Sequence, residues 1–215
     1  MCQMKSGIIL KDRVFIPDYD SHTDMLKELG IKDTRANAEK LFVRAELVPK
    51  NGDVFTPIDE WVFHVDQDIR PDWFVENYEK ERMIKAVKEW AKDRIHIGVD
   101  GLRISSGSNH YIKDCKNVEV YGSASINEVC DSASINYVCG SASITKVYGS
   151  ASINEVCGSA SINEVYGNGI IANSPYTKWS NQNRLIISEN ATFKDCVAKV
   201  IYQSGGWELR SVDNG

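Results

Sequence analysis

The 215-residue chain lacks any apolar run approaching the roughly 20 residues that a membrane-spanning helix needs. Ile8-Ile9-Leu10 is cut short by Lys11-Asp12-Arg13, too soon for the apolar region of a secretory signal. A cytoplasmic protein with no membrane partner is expected. A basic surplus is also lacking. The formal net charge is -5, and positions 1–100 carry 16 basic against 20 acidic side chains. Neither half suits a surface that tracks phosphates, and the aromatics are not interleaved with basic residues, so nucleic acid is not the expected partner. No C-x-x-C pair occurs, which speaks against zinc. Nucleophile elbow, phosphate loop and dinucleotide turn are missing as well, and no cofactor is expected.

Residues 120–166 hold five uninterrupted copies of a nine-residue unit such as V-C-G-S-A-S-I-N-E. A fixed uninterrupted period marks a solenoid. Within residues 129–137, alternation puts Val129, Asp131 (Gly in most copies), Ala133 and Ile135 on one side of a strand. Cys130, Ser132 and Ser134 take the other. Asn136-Tyr137 separates Ile135 from Val138, and a corner is expected there because Asn tolerates turn geometry. Each unit is then one strand and one corner, and two units make a flattened coil of eighteen residues; a three-unit triangular coil ranks second.

In the flattened coil Ile126, Ile144 and Ile162 form one buried ladder, and Ile135 and Ile153 the opposite one. Tyr121, Cys139 and Cys157 share one outer rank; Cys130, Tyr148 and Tyr166 share the other. Ser123, Ser125, Ser132, Ser134, Ser141 and Ser143, with Tyr121, Tyr148 and Tyr166, are the candidate binding surface. Three of the six cysteines occupy a position that Tyr fills in other copies, so reduced surface thiols are expected rather than disulfides.

Upstream, residues 8–16 read as a hairpin or bent strand around Lys11-Asp12. Ser21 is the expected N-cap of a helix over 22–29 stopped by Gly30, and a further helical turn is expected over 35–40. Residues 41–48 and 61–65 read as paired strands around a turn at Pro49-Lys50-Asn51-Gly52. Met83, Ile84, Val87, Trp90 and Ala91 form one apolar stripe on a helix over about 76–94, with Asp72 as a candidate N-cap before it. Strands are expected to continue past the perfect repeats. Ile112-Lys113-Asp114-Cys115 is echoed by Phe193-Lys194-Asp195-Cys196, a loop is expected over 174–183, and residues around Trp207 are expected to close one end.

Two clusters bear metal-ligating side chains. Asp18, Asp20, His22 and Asp24 alternate as D-x-D-x-H-x-D, a donor set that suits Mg²⁺ or Mn²⁺. Asp66, Asp68 and Asp72 follow the second strand and are able to meet the first group in space. The bland alternative assigns these carboxylates to an acidic loop and to helix N-termini. No metal site is expected on balance, and these residues stand as the candidates for one.

Setting Gly149 as the first position, the unit resembles the calcium-binding β-roll repeat of RTX proteins, G-G-x-G-x-D-x-U-x. That resemblance implies an eighteen-residue coil. Ser150 and Ser152 replace glycines and Asn154 replaces the aspartate, so calcium is not expected. The runs F-V-R-A-E-L-V-P at 42–49, W-V-F-H-V-D-Q-D-I-R-P-D-W-F at 61–74, R-M-I-K-A-V-K-E-W-A at 82–91 and Y-I-K-D-C-K-N-V at 111–118 resemble uncharacterised proteins of phages and gut bacteria. In those, a similar N-terminal domain precedes short solenoid repeats. The resemblance implies an accessory phage role, such as masking a host defence protein, and brings no site residues.

The expected fold is an α+β domain over 1–100 that caps or recognises, an all-β solenoid over 101–205 and a cap or tail over 206–215. The expected function is non-catalytic: a scaffold or protein-binding module whose partner is another protein, with the solenoid faces or ends offering a route to homo-oligomers. The alternative is a metal-dependent hydrolase using Asp18, Asp20, His22, Asp66 and Asp68; an ice-binding or calcium-binding solenoid ranks third.

Overall fold

A computed structural model describes residues 5–173, 185–197, 200–203 and 210–211. The chain divides into two compact units, Met1–Asp93 and Arg94–Gly215.

The first unit is built on a four-stranded antiparallel sheet. Strand β1 (Lys5–Leu10) turns back through Lys11-Asp12 into β2 (Val14–Phe15), with the Leu10 amide donating to the Arg13 carbonyl at 2.8 Å. Helix α1 (His22–Glu28) follows. Ser21 caps it as expected, its hydroxyl accepting from the Asp24 amide at 3.2 Å, and Gly30 takes φ +68° beyond its end. Helix α2 (Arg35–Ala38) is one turn. Strand β3 (Phe42–Val48) pairs with β1 on one side and with β4 (Val62–Val65) on the other, giving the order β2-β1-β3-β4.

Alternation along β3 buries Val43, Ala45 and Leu47 and leaves Arg44 and Glu46 half-buried on the other side. Ile8, Met25, Leu26, Ala38 and Phe42 form a core cluster in this unit. Helix α3 (Glu76–Lys92) buries Met83, Val87 and Ala91, the apolar stripe read from the sequence. Its N-cap is Val75, not Asp72. Asp72 lies instead in a turn closed by the Phe74 amide on the Pro71 carbonyl.

The second unit is a β-solenoid of about five turns between residues 95 and 194. Successive strands alternate between two parallel sheets. One holds β5 (Ile95–Ile97), β7 (His110–Lys113), β9 (Ser125–Cys130), β11 (Ser143–Val147), β13 (Ser161–Val165) and β15 (Ile186–Ile187). The other holds β6 (Arg103–Ile104), β8 (Val118–Val120), β10 (Ser134–Val138), β12 (Ser152–Val156), β14 (Ile170–Asn173) and β16 (Thr192–Asp195). Ile144 pairs in register with Ile126 and Ile162, and Ile135 with Ile153. Equivalent residues thus stack every eighteen positions, the two-unit coil expected from the repeat. Val, Ala and Ile of every perfect unit are no more than 3 % exposed and form one continuous core. Each fully buried Val or Ile contributes about 1.5–3 kcal/mol.

The position of the corner differs from the expectation. Ser134–Val138 is a single strand that runs through Asn136-Tyr137. Ile135 and Val138 both face inward although two residues separate them, so the strand bends at Asn136-Tyr137 without ending; against β8 the register shifts there, whereas against β12 Ile135 and Val138 stay in step with Ile153 and Val156. The chain turns instead at the glycine expected at the strand centre. Gly122, Gly140, Gly149, Gly158 and Gly167 all have φ between +65° and +73°. A side chain there would also strike the rung below: a Cβ on Gly140 would lie 2.9 Å from the Gly122 carbonyl oxygen.

The end of the solenoid changes polarity. Strand β17 (Val200–Gln203) pairs antiparallel with β16, and β18 (Arg210–Ser211) antiparallel with β17. The expected loop over 174–183 and the expected cap at Trp207 lie outside the described residues.

Candidate functional site

Three elements of the first unit converge on an open pocket of about 780 Å³ lined by Asp20, Ser21, His22, Thr23, Asp33, Arg44 and Asp66. The cap at Ser21 fixes the start of α1 and so places His22 as its first residue. His22 is 8 % exposed, and its Nε2 lies 3.3 Å from the Ala45 carbonyl oxygen of β3. The Asp66 amide donates to the Arg44 carbonyl at 2.9 Å, extending the β3–β4 pairing by one residue. This brings Asp66 Oδ2 to 3.2 Å from His22 Nδ1. Glu46, two residues beyond Arg44 on the same face of β3, completes the group: one donor atom each from His22, Glu46 and Asp66 lies within 4.8 Å of the others.

The other candidates do not join it. Asp20 accepts from Lys5 Nζ at 2.8 Å and from the Ser6 amide at 3.2 Å. Lys5 is only 2 % exposed, so Asp20 compensates a buried cation. Asp18, Asp24 and Asp68 are exposed and lie outside the convergent group, as does Asp72. Arg44 pairs with Asp33. Glu46 escaped the sequence reading because nothing local marks it. Its signal is the register of 41–48 against 61–65, which sets Glu46 opposite His64.

The candidate binding residues of the solenoid spread over two corners and two faces. Tyr121, Cys139 and Cys157 open the corners on one edge; Cys130, Tyr148 and Tyr166 adjoin those on the other, the two ranks read from the sequence. Ser123 and Ser141 lie at the first edge and Ser132 at the second, all exposed. Ser125 and Ser143 sit on the β9–β11 face, where Ser143 Oγ and Ser125 Oγ are 3.3 Å apart, and Ser134 is on β10 in the other sheet.

Cys139 and Cys157 form a disulfide with their Cα atoms 4.7 Å apart. The expectation of reduced thiols fails at this rank because each cysteine finds its partner one coil away on the same edge. Cys115, Cys130 and Cys196 are free.

The second edge is chemically coupled. The Tyr148 and Tyr166 rings stack at 5.1 Å with planes 2° apart. Tyr148 donates its hydroxyl to Glu128 Oε2 at 2.9 Å. Burial, and then that carboxylate, raise the Tyr148 pKa above the ordinary phenol range. Burial likewise pushes the Cys130 thiol up to about 12. Register aligns Glu128, Lys146 and Glu164 across β9, β11 and β13, a column of alternating charge. In the opposite sheet Arg103 pairs with Glu119 at 2.7 Å.

No helix among the described residues is long and apolar enough to cross a membrane. Compared with protein families, curated proteins and solved structures, the chain matches none.

Proposed function

We propose that the protein is a non-catalytic scaffold whose solenoid recognises another protein through the β9–β11–β13 face and the tyrosine edge beside it. One observation carries this reading. The inward residues of the repeat scarcely vary, whereas the outward pair before the second apolar residue changes: Asn127-Glu128, Asn136-Tyr137, Thr145-Lys146, Asn154-Glu155 and Asn163-Glu164. Lys146 between Glu128 and Glu164 spares the ladder three stacked carboxylates and gives this face charges of both signs. Strand register turns such differences into a fixed two-dimensional pattern of charge. The stacked Tyr148 and Tyr166 supply the rigid aromatic surface that protein interfaces favour.

The test is capture from a lysate of the encoding organism, followed by binding measurements with the identified partner. Lys146→Glu and Tyr166→Ala are expected to weaken binding at least tenfold, about 1.4 kcal/mol or more. Ser134→Ala and Asn154→Ala in the opposite sheet leave it unchanged. Equal binding by all four variants rejects this face as the recognition element.

A further inference from the structure

We infer that His22, Glu46 and Asp66 bind a divalent first-row transition-metal ion, with zinc and manganese as the fitting chemistry. This site is independent of the solenoid reading. The Ala45 carbonyl only accepts, so His22 Nε2, 3.3 Å away, carries its hydrogen. In the neutral ring Nδ1 then bears a lone pair. It faces Asp66 Oδ2 at 3.2 Å, and a carboxylate also only accepts. Two lone pairs at that distance repel unless positive charge lies between them, either a proton on Nδ1 or a metal ion.

The rest of the cluster favours the metal ion. A proton on Nδ1 answers one carboxylate, but Glu46 converges on the same point within 4.8 Å. Of the cations on β1 and β3, Lys5 is committed to Asp20 and Arg44 to Asp33. The His22–Asp66 separation of 3.2 Å fits as well: ligand atoms about 2.1 Å from a metal, subtending roughly 90–109°, stand about 3.0–3.4 Å apart. The outer contacts are those of a metal site. The His22 ring is oriented by a backbone carbonyl, and Ser6 Oγ lies 3.4 Å from Glu46 Oε1. His22 is held in the interior while Asp66 is 61 % exposed, so an ion has a path in from the pocket. The imidazole selects against calcium and magnesium, which favour all-oxygen sites.

Untagged full-length protein, stripped with EDTA, is titrated with Zn²⁺ and separately with Mn²⁺ at neutral pH. One saturable equivalent, a raised melting temperature and Mn²⁺ broadening of the His22 ring signals are expected. Asp66→Asn and Glu46→Gln, which retain side-chain volume, each weaken binding by at least about tenfold. Asp24→Asn, on the same helix but outside the cluster, binds as wild type. The inference is overturned by absence of saturable binding, by affinity indifferent to Asp66→Asn, or by a His22 ring that stays protonated on both nitrogens under saturating Zn²⁺. The last result identifies a proton as the bridging charge.

Discussion

Asp131 stands where neighbouring units carry glycine, and it takes the same left-handed conformation at φ +55°. Asp visits that region at some cost, and a residue with an ordinary Cβ does so at about 1–2 kcal/mol. Asp131→Gly is therefore expected to leave stability level or raise it by up to about 1 kcal/mol. Gly149→Ala should cost about 2 kcal/mol or more, because its Cβ would also fall 2.8 Å from the Asp131 amide nitrogen. Urea unfolding of the two variants checks the contrast. A second residue-scale prediction concerns alkali. Below pH 9 the Cys130 thiol is neutral in both folded and unfolded chains. Above it the unfolded chain ionises at 9.0 while the folded one holds its proton to about 12, so stability falls through that window. Tyr19, raised to about 12 by its hydrogen bond to Glu28, adds to the loss above pH 10. Urea midpoints between pH 8 and 11 should decline, and less steeply in Cys130→Ala. At this scale the sequence revealed His22 and Asp66 as metal-type residues. It concealed Glu46 and the buried Lys5, whose partners are set by pairing between distant segments.

Elements were legible where their period was long or their caps strong. Ser21 and Gly30 bracket α1, the 83-87-91 spacing marks α3, and alternation marks β3. The corner of the repeat is not legible in Ile-x-x-Val, which reads alike whether the strand bends and continues or turns. The deciding fact is the left-handed backbone at Gly140 and its equivalents, which periodicity does not encode. Since strands alternate between two sheets, removing one unit and removing two have different effects. Deleting residues 149–157 moves β13 to the other sheet and carries Tyr166 to the edge opposite Tyr148. Deleting 122–139 keeps both tyrosines on one edge. Both proteins should retain a β-type far-ultraviolet spectrum, and only the first should lose the near-ultraviolet signature of the stacked rings. Retention of that signature after the nine-residue deletion would contradict the two-unit coil.

At the scale of the whole molecule, tandem units foretold the solenoid and their sameness foretold its ladders. The closing strands were not foretold in detail, because 192–195 and 200–203 lack any repeat that signals antiparallel return. A chain ended at Val197 is expected to self-associate with rising concentration in light scattering, whereas the full chain at matched concentration does not. Equal behaviour of the two would show that β17 and β18 have no protective role. Identical side chains stacked in parallel register are also the grammar of amyloid, in which an open tip templates the next molecule. By reversing direction beyond β16, the chain offers a newcomer at that sheet a strand of opposite polarity in place of another copy of the repeat, which blunts parallel templating there.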